Sequence, residues 1–126
     1  WWYSKLMSGE ILEGGGWPSQ VFASHLVHDF TSYARLWNMS TRGNSTRLGR
    51  FMKSCFPPGH KLRGQVSGVH EVVSENGELV RVDRPRVYLL PSLAITRRHC
   101  DQYFGGPYEW PNIEIVEALP AKETSF

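Results

Sequence analysis

The chain has 126 residues, of which 40% are apolar and 21% are charged, with 14 Lys and Arg against 12 Asp and Glu. This length supports one compact domain, and the apolar content excludes a wholly disordered chain. No apolar run approaches the roughly 20 residues that a membrane helix needs, so we expect a protein of the cytoplasm with no membrane partner. The chain starts at Trp1 rather than Met, and we therefore expect a piece of a longer protein.

Apolar residues at helical spacing predict two helices in the first third of the chain. In the opening segment, Trp2 and Leu6 lie four residues apart and Gly9 is a suitable C-terminal stop, which predicts a short packed helix. A glycine-rich connector leads to a longer helix, for which Ser24 is the predicted N-cap. The predicted core stripe of this second helix consists of Leu26, Phe30, Tyr33, Ala34 and Trp37.

The segment NSTRLGRFMKSCFPPG, residues 44–59, predicts a third helix with two distinct faces. Ser45 is its expected N-cap, and the two prolines that follow Phe56 end it. The apolar face consists of Leu48, Phe51, Met52 and Cys55, and the opposite face of Arg47, Arg50 and Ser54, with Thr46 and Lys53 at its edges. Gly49 costs about 1 kcal/mol in a helix interior relative to Ala, so we expect another helix to approach closely there.

The Val-rich segment that follows predicts a β-hairpin. Asn76 and Gly77, between segments of alternating apolar and polar residues, are a strong signal for a two-residue turn. This turn would pair Val73 with Val80 within two long antiparallel strands. Pro85 cannot donate to the ladder, so we expect a bulge or an edge position there.

The remaining residues predict a closing helix and a C-terminal extension. Ser92 is the expected N-cap of the helix and Gly105 its stop. The apolar side of this helix consists of Leu93, Cys100, Tyr103 and Phe104. In the extension we expect a docked Trp110 and a short strand through Ile113 and Ile115.

Positive charge is concentrated in one segment of the chain. Residues 30–70 contain no Asp or Glu, and all twelve acids lie outside them. The seven basic residues of the segment are Arg35, Arg42, Arg47, Arg50, Lys53, Lys61 and Arg63. Such asymmetry creates a local positive field that attracts polyanions, although a solvated basic face without a partner has the same composition.

The sequence predicts no catalytic, metal or cofactor site. Cys55 and Cys100 fit small buried hydrophobic residues better than a disulfide framework, and no second pair at metal-ligand spacing accompanies His99 and Cys100. The three glycines at 14–16 lack the Lys-Ser or Lys-Thr of a nucleotide-binding phosphate loop. No nucleophile and base stand at a recognisable spacing, so an enzyme in its own right is the least favoured interpretation.

The order of elements predicts an α+β domain of the winged-helix type, a helix-turn-helix with a long β-hairpin wing and a closing helix, over residues 1–106. A partly flexible extension follows over residues 107–126. The helix residues expected to contact phosphates or guanine edges are Arg47, Arg50 and Lys53, with Thr46 and Ser54 as donors to phosphates. Because the hairpin tip is acidic, the hairpin is expected to contribute from its base, through Lys61, Arg63, Arg84 and Arg86.

Four segments together carry a family resemblance: WWYSKLMSGEI, GGGWPSQV, NSTRLGRFMKSCFPPG and RVYLLPSLAITRRHCDQYFGG. In this order they resemble the C-terminal domain of phage and prophage replication proteins of the primase-helicase type, in which a ring-forming ATPase precedes a small winged-helix module. The resemblance covers Trp1 to about Phe104. It implies a non-catalytic DNA-binding module for DNA replication, with Arg47, Arg50 and Lys53 at the basic positions of the recognition helix.

The resemblance also implies partners. They are DNA, single- or double-stranded, and upstream helicase and primase domains of the same chain, in a bacterial or phage-infected host cell. Two other functions fit the same residues: a protein-interaction adaptor that docks on the ATPase domain or on a replication partner, and a stand-alone winged-helix transcription regulator. Loss of DNA affinity with increasing salt favours DNA binding, whereas indifference to DNA favours the adaptor.

Overall fold

The computed structural model describes residues 1–111, which form an α+β domain. Its elements are α1 (Trp2–Ser8), β1 (Gln20–Phe22), α2 (Ala23–Leu36), α3 (Asn44–Ser54), β2 (Arg63–Gln65), β3 (Val69–Val73), β4 (Leu79–Asp83), β5 (Arg86–Leu89) and α4 (Leu93–Tyr103). Strands β1, β5 and β2 form one antiparallel sheet in that order, and β3 and β4 form a separate hairpin. None of the helices in this part of the chain has the length and apolar character to cross a membrane.

The ends of the helices follow the predicted signals in part. Gly9 ends α1 in the left-handed region, and the Ser92 hydroxyl accepts a hydrogen bond from the Ile95 amide at 3.2 Å at the start of α4. Both predictions are confirmed. The predicted N-caps of α2 and α3 are wrong: α2 begins directly after β1, and α3 begins at Asn44, so that Ser24 and Ser45 lie inside the helices.

One core joins the helices to the inner face of the sheet. Leu26, Leu48 and Met52 are completely buried there, as their spacing predicts. Trp37, expected in this core, is 64% exposed. Helix α3 meets α2 earlier along the chain, where the Asn44 amide donates to the Thr31 hydroxyl, so the last turn of α2 extends past it.

The aromatic residues predicted for the apolar sides of α3 and α4 lie at the edge of the core. Phe51 is 37% exposed, and its ring contacts Trp2 and Phe104. Tyr103 and Phe104 are exposed as well, whereas Leu93 and Cys100 are buried. The predicted apolar faces are therefore correct for their aliphatic and cysteine residues, which are buried. The aromatic residues that were included in them are partly exposed.

The predicted two-residue turn of the hairpin is wrong by one residue. Ser74 and Glu78 flank a three-residue loop, in which the Gly77 amide donates to the Ser74 carbonyl and Gly77 has a φ of 89°. This is the geometry of a turn followed by a glycine bulge. Val73 therefore pairs with Leu79 rather than with Val80, and Val80 lies on the same face as the buried Val72.

The predicted irregularity at Pro85 is confirmed. Between the pairs Gln65 with Arg86 and Val69 with Asp83, residues 66–68 oppose only residues 84–85. The Pro85 carbonyl accepts a hydrogen bond from the Val66 amide, while its own nitrogen has no proton to donate. This bulge separates the hairpin from the sheet, so the two long strands of the prediction are four short ones.

The end of the described chain packs on α4. The Trp110 indole donates to the Asp101 carboxylate at 3.1 Å, and its ring contacts Tyr3 and the Arg97 guanidinium. Arg97 is buried and donates to the Leu6 carbonyl near the end of α1. The docking of Trp110 is thereby confirmed; the strand predicted around Ile113 lies outside the described residues.

Candidate nucleic-acid interface

All seven basic residues of the acid-free segment lie on the surface. Each of them is exposed. The ion pairs within residues 1–111 are Lys5 with Asp29 and Arg84 with Asp83, and neither involves a basic residue of that segment. The positive charge predicted from the sequence is therefore not neutralised by acids of the described chain, and it remains available to an anionic partner.

Four basic residues, from α3, the loop before β2, β2 and β5, line two adjoining grooves. Lys61, Arg63 and Arg86 line a groove of about 490 Å³ beside the sheet. Lys53, at the end of α3, lines a second groove of about 420 Å³ together with the same Lys61 and Arg63. We refer to this surface, Lys53, Lys61, Arg63 and Arg86, as the basic groove. All four of its residues were predicted from the sequence as nucleic-acid contacts, and the fold brings them together.

The register of the sheet explains why two of these arginines lie on one face. Arg63 pairs with Tyr88 and Gln65 pairs with Arg86, and paired residues project to the same side of a sheet. Tyr88 continues into the core, where it is 3% exposed. The aliphatic parts of Arg63 and Arg86 thus lie on the same side of the sheet as the buried Tyr88, while their guanidinium groups reach the solvent.

Arg63 is positioned by contacts with Tyr88 and with α3. Its guanidinium carbon lies 5.9 Å from the centre of the Tyr88 ring, and a Cβ placed on Gly49 would lie 2.8 Å from its Nη2. The close approach predicted at Gly49 is therefore made by a side chain of β2 and not by another helix. Burial raises the pKa of the Tyr88 hydroxyl, although the Arg63 guanidinium acts in the opposite direction.

The basic face of α3 continues the basic groove. At 100° per residue, Thr46 and Lys53 fall within about 60° of Gly49, and Arg50 lies about 100° from it. All three are exposed. Arg50 therefore extends the cationic surface from Lys53 across the outside of α3, and the Thr46 hydroxyl adds a hydrogen-bond donor.

Three other predicted contact residues lie outside the basic groove, and two of them donate hydrogen bonds within the domain. Arg47 donates to the Ser40 carbonyl at 2.8 Å and to the Asn44 side chain at 3.1 Å, so it also fixes the turn between α2 and α3. The Ser54 hydroxyl donates its one proton to the Phe51 carbonyl at 2.7 Å. Arg84, with a φ of 50° in the bulge, does not line the basic groove and lies 3.9 Å from Asp83.

The hairpin is fastened to α2 by two histidines, His25 and His28. The His25 Nε2 accepts a hydrogen bond from the Val73 amide at 2.9 Å, and the His28 ring packs on Gly77. Burial, and secondly the charge of His28, lower the pKa of His25. The neutral form that accepts the bond is thereby favoured. The spacing of these residues on α2 gives no signal for this role, because their partners are a backbone amide and a glycine.

The two cysteines are buried and free, as their predicted role as small hydrophobic residues requires. Burial is the main cause that raises the pKa of both thiols, and the Cys55 thiol donates to the Phe51 carbonyl at 3.3 Å. Within residues 1–111, no three His, Cys, Asp or Glu side chains form a group that could hold a metal ion.

Comparisons with known proteins give no match: neither a family model, nor a curated protein, nor a solved structure is similar to this chain. The resemblance to phage replication proteins therefore stays a prediction from the sequence, and the candidate interface is defined by the geometry and charge of its own residues.

Proposed function

We propose that this chain is a nucleic-acid-binding accessory domain of a phage-type primase-helicase replication protein, and that it contacts DNA through the basic groove and the outer face of α3. The observation that carries the proposal is that two adjoining grooves are lined by four cations from one helix, two strands and a loop: Lys53, Lys61, Arg63 and Arg86. Cations spaced along a groove match the spaced phosphates of a nucleic-acid backbone.

The topology supports a winged-helix arrangement for this domain. The chain order is a helix, an edge strand, two helices and then two strands around a hairpin, and the sheet order is β1, β5, β2. In such a domain the second of the two packed helices, here α3, is the one that faces DNA. Thr46, Arg50 and Lys53 are exposed on α3, as contact with DNA through this helix requires.

The first experiment measures the affinity of the domain for labelled single- and double-stranded oligonucleotides by fluorescence anisotropy over a range of salt concentrations. We compare the wild type with a variant that carries Arg63→Gln and Arg86→Gln. Each phosphate contact that is lost should make the negative slope of log affinity against log salt concentration shallower, by about 0.9 for duplex DNA and about 0.7 for a single strand. Glutamine keeps much of the side-chain length, so the change tests charge rather than packing.

A matched control carries Arg81→Gln and Arg98→Gln, two exposed cations on the hairpin and on α4 that do not line the basic groove. This variant should keep most of the affinity and the slope of the wild type. An equal loss of affinity in the two variants would mean that DNA is attracted by the net charge of the domain and not by the basic groove. An unchanged affinity in the groove variant would contradict the proposed interface.

The acidic hairpin tip favours a second function, docking on a protein. Glu71, Glu75 and Glu78 are exposed, and the tip is held on α2 by His25 and His28. An acidic surface repels phosphates and suits a basic protein surface, such as one on an ATPase domain or a replication partner. If the wild type fails to bind either kind of oligonucleotide at low salt, this adaptor function replaces the first proposal.

A further inference from the structure

Three large apolar side chains are exposed together where α2 ends. Leu36 is 77% exposed, Trp37 is 64% exposed and Met39 is 42% exposed. We call these three residues the α2 tip. The other four tryptophans of the chain are buried or half-buried, so Trp37 is the exception among them. A cluster of exposed apolar side chains on a domain of this size marks a surface that binds something.

The α2 tip borders the cationic outer face of α3. The Arg47 guanidinium donates to the Ser40 carbonyl, one residue after Met39, and lies 6.0 Å from the centre of the Phe30 ring. Phe30 and Trp37 are seven residues apart, which is about two turns along the same side of α2. The exposed Arg42 lies in the same turn. The apolar surface and the cations are therefore neighbours.

Charge restricts the direction from which a partner reaches Trp37. Tyr33, whose ring contacts Trp37, borders a groove that contains Glu10, Glu13 and the ion pair of Lys5 with Asp29, which leaves the groove with a net negative charge. A polyanion is repelled there and attracted on the side of Arg42 and Arg47, where the acid-free segment forms the surface. The occupant that fits the α2 tip is thus anionic and carries flat apolar groups.

We propose that Trp37 is a stacking platform for an unpaired base of a nucleic-acid strand whose phosphates contact Arg42 and Arg50. This inference rests on the proposed function and names the kind of nucleic acid. In a duplex, both faces of each base are covered by its neighbours, so an exposed indole can stack only on a base that is unpaired or at a strand end. The α2 tip therefore favours single strands and junctions over continuous duplex.

The test compares the wild type with Trp37→Ala, Trp37→Phe and the control Tyr103→Ala. Tyr103 is a similarly exposed aromatic residue, 60% exposed at the end of α4. The probes are labelled oligothymidine and a labelled duplex of the same length, measured by anisotropy over a range of salt. Trp37→Ala should lower the affinity for oligothymidine about 5- to 150-fold, whereas Trp37→Phe should keep most of it, because a phenyl ring still stacks.

The salt dependence and the duplex separate stacking from charge. Trp37→Ala should leave the salt slope for oligothymidine unchanged, because no phosphate contact is lost, and should leave duplex affinity within about twofold. Tyr103→Ala should resemble the wild type with both probes.

Two results would overturn the inference while the proposed function stands: salt-dependent binding that Trp37→Ala does not weaken, or an equal loss in Tyr103→Ala. Absence of binding by the wild type would instead refute the proposed function. If sedimentation shows a dimer that Trp37→Ala dissociates with no change in affinity for oligothymidine, the α2 tip binds a second copy of the chain, and the inference is wrong.

Discussion

Replacing Gly49 by Ala should keep or slightly raise the stability of the domain and weaken its binding of nucleic acid. Ala is favoured over Gly in a helix interior by about 1 kcal/mol. The new Cβ would lie 2.8 Å from Arg63 Nη2, so the guanidinium must move by about 0.7 Å or more to reach an ordinary contact. Loss of its position over the Tyr88 ring costs about 0.5–1 kcal/mol. The expected net gain in the free energy of unfolding is thus between about 0 and 0.5 kcal/mol.

Urea denaturation and anisotropy on Gly49→Ala, Arg63→Ala and the double variant measure both effects. If Gly49→Ala acts through Arg63, then in the Arg63→Ala background it should give the full gain of about 1 kcal/mol and no further loss of affinity. A destabilisation of more than about 2 kcal/mol would refute the reasoning, because it would mean that the backbone rather than a flexible side chain is displaced. So would an unchanged affinity in Gly49→Ala.

Two further predictions concern the hairpin. Because the pKa of His25 is lowered in the folded state, the unfolded chain binds the proton more readily, and the free energy of unfolding should fall as the pH drops below about 6.5, the ordinary value for histidine. His25→Gln, which can still accept the bond from Val73, should lose less stability between about pH 7.5 and about pH 5 in denaturation curves, and an equal loss would contradict the role of His25. Gly77→Ala should cost about 1–2 kcal/mol for its positive φ and more for a Cβ that would lie 2.8 Å from the His28 ring. Gly59→Ala has the same positive φ with open space around the Cβ and should cost only the first amount, so equal losses in the two variants would count against the His28 contact.

The local signals of the sequence were correct at two helix ends and wrong at two others, where Ser24 and Ser45 lie inside α2 and α3. Gly9 ends α1 and Ser92 caps α4 because the conformation and the hydrogen bond involve only neighbouring residues. The hairpin turn was wrong by one residue, since Ser-Glu-Asn-Gly-Glu fits both a two-residue turn and a three-residue loop with a glycine bulge. The choice depends on which valines reach α2, and Val72 is the one that is buried there.

The sequence by itself determined the α+β character of this protein, most of the core and the concentration of positive charge in residues 30–70, because periodicity and composition are properties of the chain alone. Only the tertiary structure decided which cations act together. Lys53 and Arg86 are 33 positions apart in the chain and line adjoining grooves that share Lys61 and Arg63, whereas Arg47 donates hydrogen bonds within a turn. Only the tertiary structure decided that Trp37 is exposed. Its spacing along α2 fits a core position equally well, and the sequence does not show whether a neighbouring helix is long enough to cover it.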